Sequence, residues 1–334
     1  MLLLPFIYLF GMAAVTVVTD LSNLEHLVST TLAELIWQTF VLCLGVITLT
    51  STMGVLPAWW VSAYEFPGRR WLEWLLLLPM AMPSYVIAYA YTDALQYSGW
   101  FASSLRDWLG DDFRLPEIRS TFGAILVLSF VLYPYVYLMA RTAFLNRSPS
   151  MLDAARSLGH GGMGAFLKVA LPVARPAWVA GLALVLMETL AEYGALSYFG
   201  VQTFTTAIYK TWLNLGDRES ASLLAVMLMA LMTGLIIAEH NARGRAQFYT
   251  QVGKGQSLQK RKLKGFQAFL VWFLTVMPLV LGFILPTGFL TALAFDIDTV
   301  LGWNKSIQWA WHSALLGWLA AMVSIAMALF LAYV

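Results

Sequence analysis

The chain has 334 residues, of which 60% are hydrophobic and only 11% charged, with a net charge of +2 and a mean hydropathy of +0.72. A soluble domain carries roughly a quarter charged residues, so a water-soluble globular enzyme is excluded, and a charge this small gives no hold on nucleic acid. The single cysteine, Cys43, lies inside an apolar run, which rules out an internal disulfide and leaves no thiolate cluster for a metal.

Eight apolar runs follow one another at 1–18, 36–62, 71–92, 121–144, 176–198, 221–239, 266–286 and 308–334, separated by polar connectors. Each is close to the 20 or so residues that cross ~30 Å of hydrocarbon as a helix. They predict an all-α, polytopic transmembrane helix bundle. The first run opens "MLLLPFIYLF" without a basic n-region, so it reads as a retained helix rather than a cleaved leader. In the third, "LLLLPMAMPSY" places Pro79 and Pro83 where they break a spanning helix, a feature that either lines a cavity or kinks around neighbours.

Between the fourth and fifth runs lies "DAARSLGHGGMGAFLKVALP" (153–172), whose charges and glycine-broken backbone cannot cross hydrocarbon. Ser150 suits an N-cap with Asp153 three residues on, and Gly159 suits the left-handed position after a helix end. A second short helix, about 165–171, is expected to end near Pro172 and Pro176. Ala154 and Ala155 give this helix–turn–helix a small-residue face that a partner can approach closely.

Putting that stretch in the cytoplasm places the N-terminus and the 63–70, 145–175 and 240–265 loops there too. Fourteen of the 20 Lys and Arg then face inward, as the positive-inside rule requires. The basic run 253–265 reads as a linker whose charges fix topology. A weak internal repeat points the same way. Pro5 and Pro278 are offset by 273, and residues 37–61 lie on 311–334 with an offset of 274, pairing Trp37 with Trp311 and Leu42 with Leu316. The expected organisation is a six-helix unit at 1–240 with its core at about 35–239, a linker at 241–265, and the first two helices of a second, shortened unit at 266–334.

In the fifth run Glu188 and Glu192 fall at i, i+4, so both carboxylates are expected on one helix face. Intramembrane carboxylates face a bundle interior or a water-filled path. With Tyr193 and Tyr198 beside them they are candidates for lining a translocation pathway; locking helices together by hydrogen bonds is the competing reading. Hard oxygen donors of this kind suit Fe³⁺ in passing, though not a tight metal site. His26, His160, His240 and His312 are far apart in sequence and form no recognisable metal cluster. No G-x-x-x-x-G-K-[ST] occurs, so no nucleotide is held by a P-loop.

The 148–175 loop resembles the cytoplasmic signature of ABC importer permease subunits, E-A-A, three residues, G, nine residues, I-x-L-P. Here it reads Asp153-Ala154-Ala155, Gly159, then Val169-x-Leu171-Pro172, every spacing matching and Asp and Val replacing Glu and Ile. Residues 66–99, 116–145 and 187–217 are similar to ferric-iron permeases, which are fused two-unit proteins. The resemblance implies a type I ABC importer permease fold in a bacterial inner membrane. It also implies a coupling loop docked on a separate ATP-binding subunit (read as a homodimer), a soluble substrate-binding protein outside, and no cofactor. It puts ferric iron first as cargo, with thiamine, polyamines, sulfate or phosphonate as alternatives. A secondary cation transporter is the competing class, and it leaves the spaced loop unexplained.

Overall fold

The computed structural model describes residues 4–19, 31–146, 162–243, 260–296 and 303–333. Asp153, Ala154, Ala155 and Gly159 lie outside them. The chain divides into two compact units, Met1–Thr287 and Gly288–Val334.

The first unit begins with α1 (Leu4–Thr19) and α2 (Ala33–Ala63), followed by the two-residue strand β1 (Tyr64–Glu65). Next come α3 (Arg69–Leu75), a 3-10 turn at Leu78–Ala81, α4 (Ser84–Leu95), α5 (Trp100–Leu109) and α6 (Thr121–Leu145). The helix α7 runs Gly162–Ala191, and α8 (Gly194–Phe199), α9 (Phe204–Tyr209) and α10 (Arg218–Arg243) follow. Strand β2 (Arg261–Lys262) precedes α11 (Gly265–Leu279), a π turn at Val280–Ile284 and the start of α12 (Leu285–Asp296), which belongs to the second unit from Gly288 onward. The predicted all-α bundle is observed, apart from a parallel ladder pairing Tyr64 with Arg261 and Glu65 with Lys262.

Among the described residues, six helices are long and apolar enough to cross a membrane, or seven if the bent pair Arg69–Ala81 and Ser84–Leu109 is one span. That pair turns through 90°, at the Pro79–Pro83 break. The break frees carbonyls in an apolar setting, where they need a donor. Tyr137 and Tyr133 on α6 supply it, their hydroxyls donating to the carbonyls of Glu73 (3.0 Å) and Leu76 (2.9 Å).

The helix α6 is the axis of this unit: 67% of its apolar window is buried, against 33% for α2 and 22% for α7. Small residues bring both neighbours onto it. A Cβ on Gly54 of α2 would stand 2.7 Å from Val136 Cβ, and one on Gly181 of α7 would stand 2.9 Å from Val136 Cα. Close approach of this kind is how helices associate where lipid removes the hydrophobic drive. Thr50 of α2 is buried cheaply because its Oγ1 bonds back along the helix to the Val46 carbonyl at 2.7 Å.

Two local expectations are corrected. No helix ends near Pro172 or Pro176: α7 passes through both. A π turn at Phe166–Ala170, closed by Leu171 N–H onto the Phe166 carbonyl, precedes Pro172, which then occupies the first turn of the following α-helical segment, where a missing N–H costs least. The fifth apolar run is also not one helix to 198, because α7 stops at Ala191.

In the second unit α13 (Trp303–Tyr333) is a 31-residue helix whose side chains are exposed from Lys305 to Phe330.

Candidate functional site: the two ends of α7

Thirty residues of helix make α7 about 45 Å long, so its ends stand at opposite ends of the first unit. At the Gly162 end the root of the predicted coupling loop is seated on an aromatic cluster. Trp59 of α2, Phe144 of α6 and Phe166 of α7 meet with ring centroids 5.2–6.4 Å apart, and Tyr64 of β1 meets Trp59 edge-on at 6.2 Å. The Tyr64 hydroxyl lies so near Gly162 that a Cβ there would be 2.6 Å away. Of the signature residues described, Val169 and Leu171 are half-buried and Pro172 is exposed.

An ion-paired cluster sits beside those rings. Arg69 reaches Glu65 Oε2 through Nε (3.1 Å) and Glu73 Oε2 through Nη1 (3.2 Å), and Nη1 also donates to the Val61 carbonyl at 3.1 Å. Arg141 of α6 pairs with the other Glu73 oxygen and lies 5.6 Å from the Trp74 ring centroid. Three of the four side chains are less than a fifth exposed, a setting in which each charge depends on its partners. The linker joins this cluster: Leu263 N–H donates to the Glu65 carbonyl (3.0 Å). Burial, and then the Arg69 guanidinium, hold the Lys260 ammonium below the usual lysine range, while Glu65 and Glu73 pull the other way.

At the Ala191 end the backbone breaks. Glu192 is extended, and its Oε1 accepts from Ala195 N–H (2.8 Å), capping the first turn of α8. The freed Leu190 carbonyl accepts from the Thr205 hydroxyl. Glu188 and Glu192 therefore do not share a helix face, because the helix that would align them ends between them. Glu188 stays on α7, exposed, within electrostatic reach of Tyr135 on α6. Tyr193 stacks on Tyr209 with centroids 4.2 Å apart. Tyr198 receives Arg119, whose Nη2 donates to its carbonyl at 3.0 Å and whose guanidinium lies 5.4 Å from its ring centroid.

The break opens a polar cavity of about 130 Å³ lined by Tyr193 and Ser197 on one side and Thr206, Lys210 and Asn214 on the other. These are two stripes at helical spacing, Tyr193 at the N-cap of α8 with Ser197 at i+4 on it, and i, i+4 and i+8 along α9 and the π turn at Lys210–Asn214. Sequence reasoning stopped at the carboxylates and passed over the second stripe, although its spacing is legible in "TAIYKTWLN". Among the described residues, no group of three or more His, Cys, Asp or Glu stands close enough to hold a metal.

A family profile described as binding-protein-dependent transport system inner membrane component matches residues 50–240, which takes in both ends of α7. The chain is 27% identical over 254 residues to an Fe(3+)-transport system permease protein of Haemophilus influenzae, covering 76% of this chain but 46% of that protein, so it spans about half the length of that relative. It is 29% identical over 218 residues to the molybdenum transport system permease protein of Escherichia coli (strain K12), covering 62% of this chain and 93% of that protein. It is 32% identical over 198 residues to a sulfate transport system permease protein of the same organism, covering 59% of this chain and 65% of that one. In fold it is similar to a chain of a bacterial alginate ABC transporter crystallised with a pentasaccharide-bound periplasmic protein, with a TM-score of 0.60 at 17% identity, covering 72% of this chain and 88% of that one. By the match over more than half its length, the chain belongs to the family of binding-protein-dependent transport system inner membrane components.

Proposed function

We infer that this chain is the membrane-spanning permease subunit of an ATP-driven importer, driven from the Gly162 end of α7 and loaded at the Ala191 end. The observation that carries this reading is where the spaced signature enters the fold. Its last residues, Val169, Leu171 and Pro172, lead out of a root clamped between α2 and α6 by Trp59, Phe144 and Phe166. A push on the loop therefore reaches the central helix directly.

The bias of basic residues supports a cytoplasmic loop and N-terminus in an inner membrane. An ATP-binding subunit, read as a homodimer, docks on the 148–175 loop, with Asp153, Ala154, Ala155 and Gly159 as its contact; a soluble binding protein delivers cargo near α8 and α9. Glu188, Tyr193 and Tyr198 line the pathway, and Glu192 shapes it by holding the break. Residues 1–240 form one permease unit and 241–265 a linker. Residues 266–334 open a second unit, a reading supported by the equal 31-residue lengths of α2 and α13.

The cargo is a small inorganic ion. Ferric iron is favoured by the stretches 66–99, 116–145 and 187–217 and by the likeness to the iron permease; the molybdenum and sulfate relatives favour an oxyanion. Thiamine and polyamines follow behind these. The test is co-purification of the full chain with the ATPase encoded beside it. Association is expected to survive Glu188→Gln and to be lost with Ala155→Trp plus Gly159→Trp. Equal association of all three, or of none, overturns the reading.

A further inference from the structure

The cavity at the Ala191 end has a lining whose chemistry bears on which kind of inorganic cargo is met there. We propose that the pocket between α8 and the α9 extension is an acceptor site for a small tetrahedral oxyanion, with Lys210 as its charge-bearing residue. The proposal deepens the importer reading and rests on it for the direction of transport, but the binding it asserts is a property of this chain alone.

Three observations carry it. First, among the described residues the one formal charge on the lining is positive. Lys210 lines the cavity together with Tyr193, Ser197, Gln202 and Asn214, the last four neutral groups able to donate hydrogen bonds, and among the described residues no carboxylate lines it. A hard trivalent cation needs anionic oxygen donors, which this pocket does not offer; an oxyanion needs a cation and several N–H or O–H donors, which it does. Second, the acidic residues on either side in sequence are engaged elsewhere. Glu192 Oε1 accepts from Ala195 N–H, and Asp217 Oδ1 accepts from Ser220 N–H at 3.0 Å, capping α10. Lys210 makes no ion pair among the described residues.

Third, the wall of the pocket that carries Lys210 is held in place by its own hydrogen bonds. Thr203 and Thr206 form a reciprocal capping box in which Thr203 N–H donates to Thr206 Oγ1 at 2.7 Å. The Thr206 hydroxyl in turn donates to the Val201 carbonyl at 3.0 Å. The π turn, closed by Leu215 N–H onto the Lys210 carbonyl at 3.2 Å, sets Lys210 and Asn214 on the same lining as Thr206. Below them Phe204 and Ala207 are packed with Leu35 and Leu224, so the stripe stands on a fixed core. At about 130 Å³ the cavity has room for a small anion together with water, and it opens to solvent past Tyr193, Ser197, Gln202, Lys210 and Asn214, all of them exposed. The larger clefts of this unit that contain Leu186 (about 270 Å³) and Leu126 (about 320 Å³) are lined mainly by apolar side chains, with Glu239 at the first and Thr52 at the second, and neither gathers a cation with several hydrogen-bond donors.

The experiment is equilibrium binding of radiolabelled sulfate to the purified full-length chain in lipid nanodiscs, with molybdate, chloride and ferric citrate as competitors. Sulfate is expected to bind saturably, to be displaced by molybdate but not by chloride at equal ionic strength, and to bind about tenfold more weakly in Lys210→Gln. Lys210→Arg restores binding. Equal binding in wild type and Lys210→Gln, or no saturable binding to the wild type, overturns the proposal. A parallel uptake assay with the partner ATPase keeps the two readings apart. ATP-driven uptake of ferric iron that is indifferent to Lys210→Gln preserves the importer and removes the oxyanion site. Sulfate binding that depends on Lys210 without any ATP-driven uptake does the reverse.

Discussion

At the Gly162 end of α7, four aromatic rings and four charged side chains from α2, β1, α3, α6 and α7 close on one another, and Arg69, Glu73 and Arg141 are all largely buried. At the Ala191 end the helix is broken, its freed groups are met one at a time by Glu192 and Thr205, and a polar cavity is left between two short helices. The first arrangement resists deformation, since moving any ring or charge exposes the others. The second holds its shape through single hydrogen bonds worth about 1 kcal/mol each. A subunit that takes a mechanical stroke at one end and admits an ion at the other needs this asymmetry. On the proposed reading, force is received where packing is stiff, and cargo is met where the helix is broken and polar groups are left facing a cavity.

The comparison is broken most severely by removing a ring from the stiff end. Trp59→Ala is expected to cost about 3–5 kcal/mol of stability. It is also expected to leave ATP hydrolysis by the partner running without uptake, read as a lowered unfolding temperature together with a collapsed ratio of ions moved to ATP consumed. Next is Glu73→Ala, which strands Arg141 in a largely buried site and leaves Arg69 with Glu65 as its one carboxylate among the described residues, at a cost of about 3 kcal/mol. Because its partners are the arginines, the double change Glu73→Met with Arg141→Met is expected to recover part of that loss in the same thermal assay. Gly181→Leu, which forces α7 off Val136, is expected to cost about 1–3 kcal/mol and to lower the yield of folded chain. The smallest effect sharpens the comparison at the other end. Glu192→Ala removes a cap worth about 1 kcal/mol, whereas Glu192→Gln keeps an acceptor oxygen and is expected to match the wild type in uptake. A large loss of uptake in Glu192→Gln with unchanged stability returns the carboxylate charge itself to the pathway.

Much of the architecture was legible because lipid imposes simple rules. Apolar runs of sufficient length announced α2, α6, α7, α10, α11 and α13, and Pro79 with Pro83 announced the 90° bend. The continuity of α7 through Pro172 was not legible. A proline ordinarily ends a helix, and only the π turn before it removes the clash, a backbone adjustment with no residue signature in "FLKVA". The end of α7 at Ala191 was missed for a similar reason. Glu192 carries no helix-breaking propensity, and it stops the helix because its side chain bonds Ala195 and Thr205 takes the Leu190 carbonyl from fifteen residues away. The ion-paired cluster was equally hidden, since Arg69 and Glu73 lie on α3 while Arg141 comes from α6, 68 residues on from Glu73, and only tertiary packing brings them together. The Lys210 stripe was visible in spacing and was passed over because carboxylates are the louder signal in an apolar run.

The most direct test of the account is ion uptake into proteoliposomes that contain this chain with its ATPase and binding protein, measured with and without ATP. Accumulation is predicted to require ATP and to fail in Trp59→Ala while nucleotide hydrolysis continues. Accumulation driven by a proton or sodium gradient in the absence of the ATPase would contradict it.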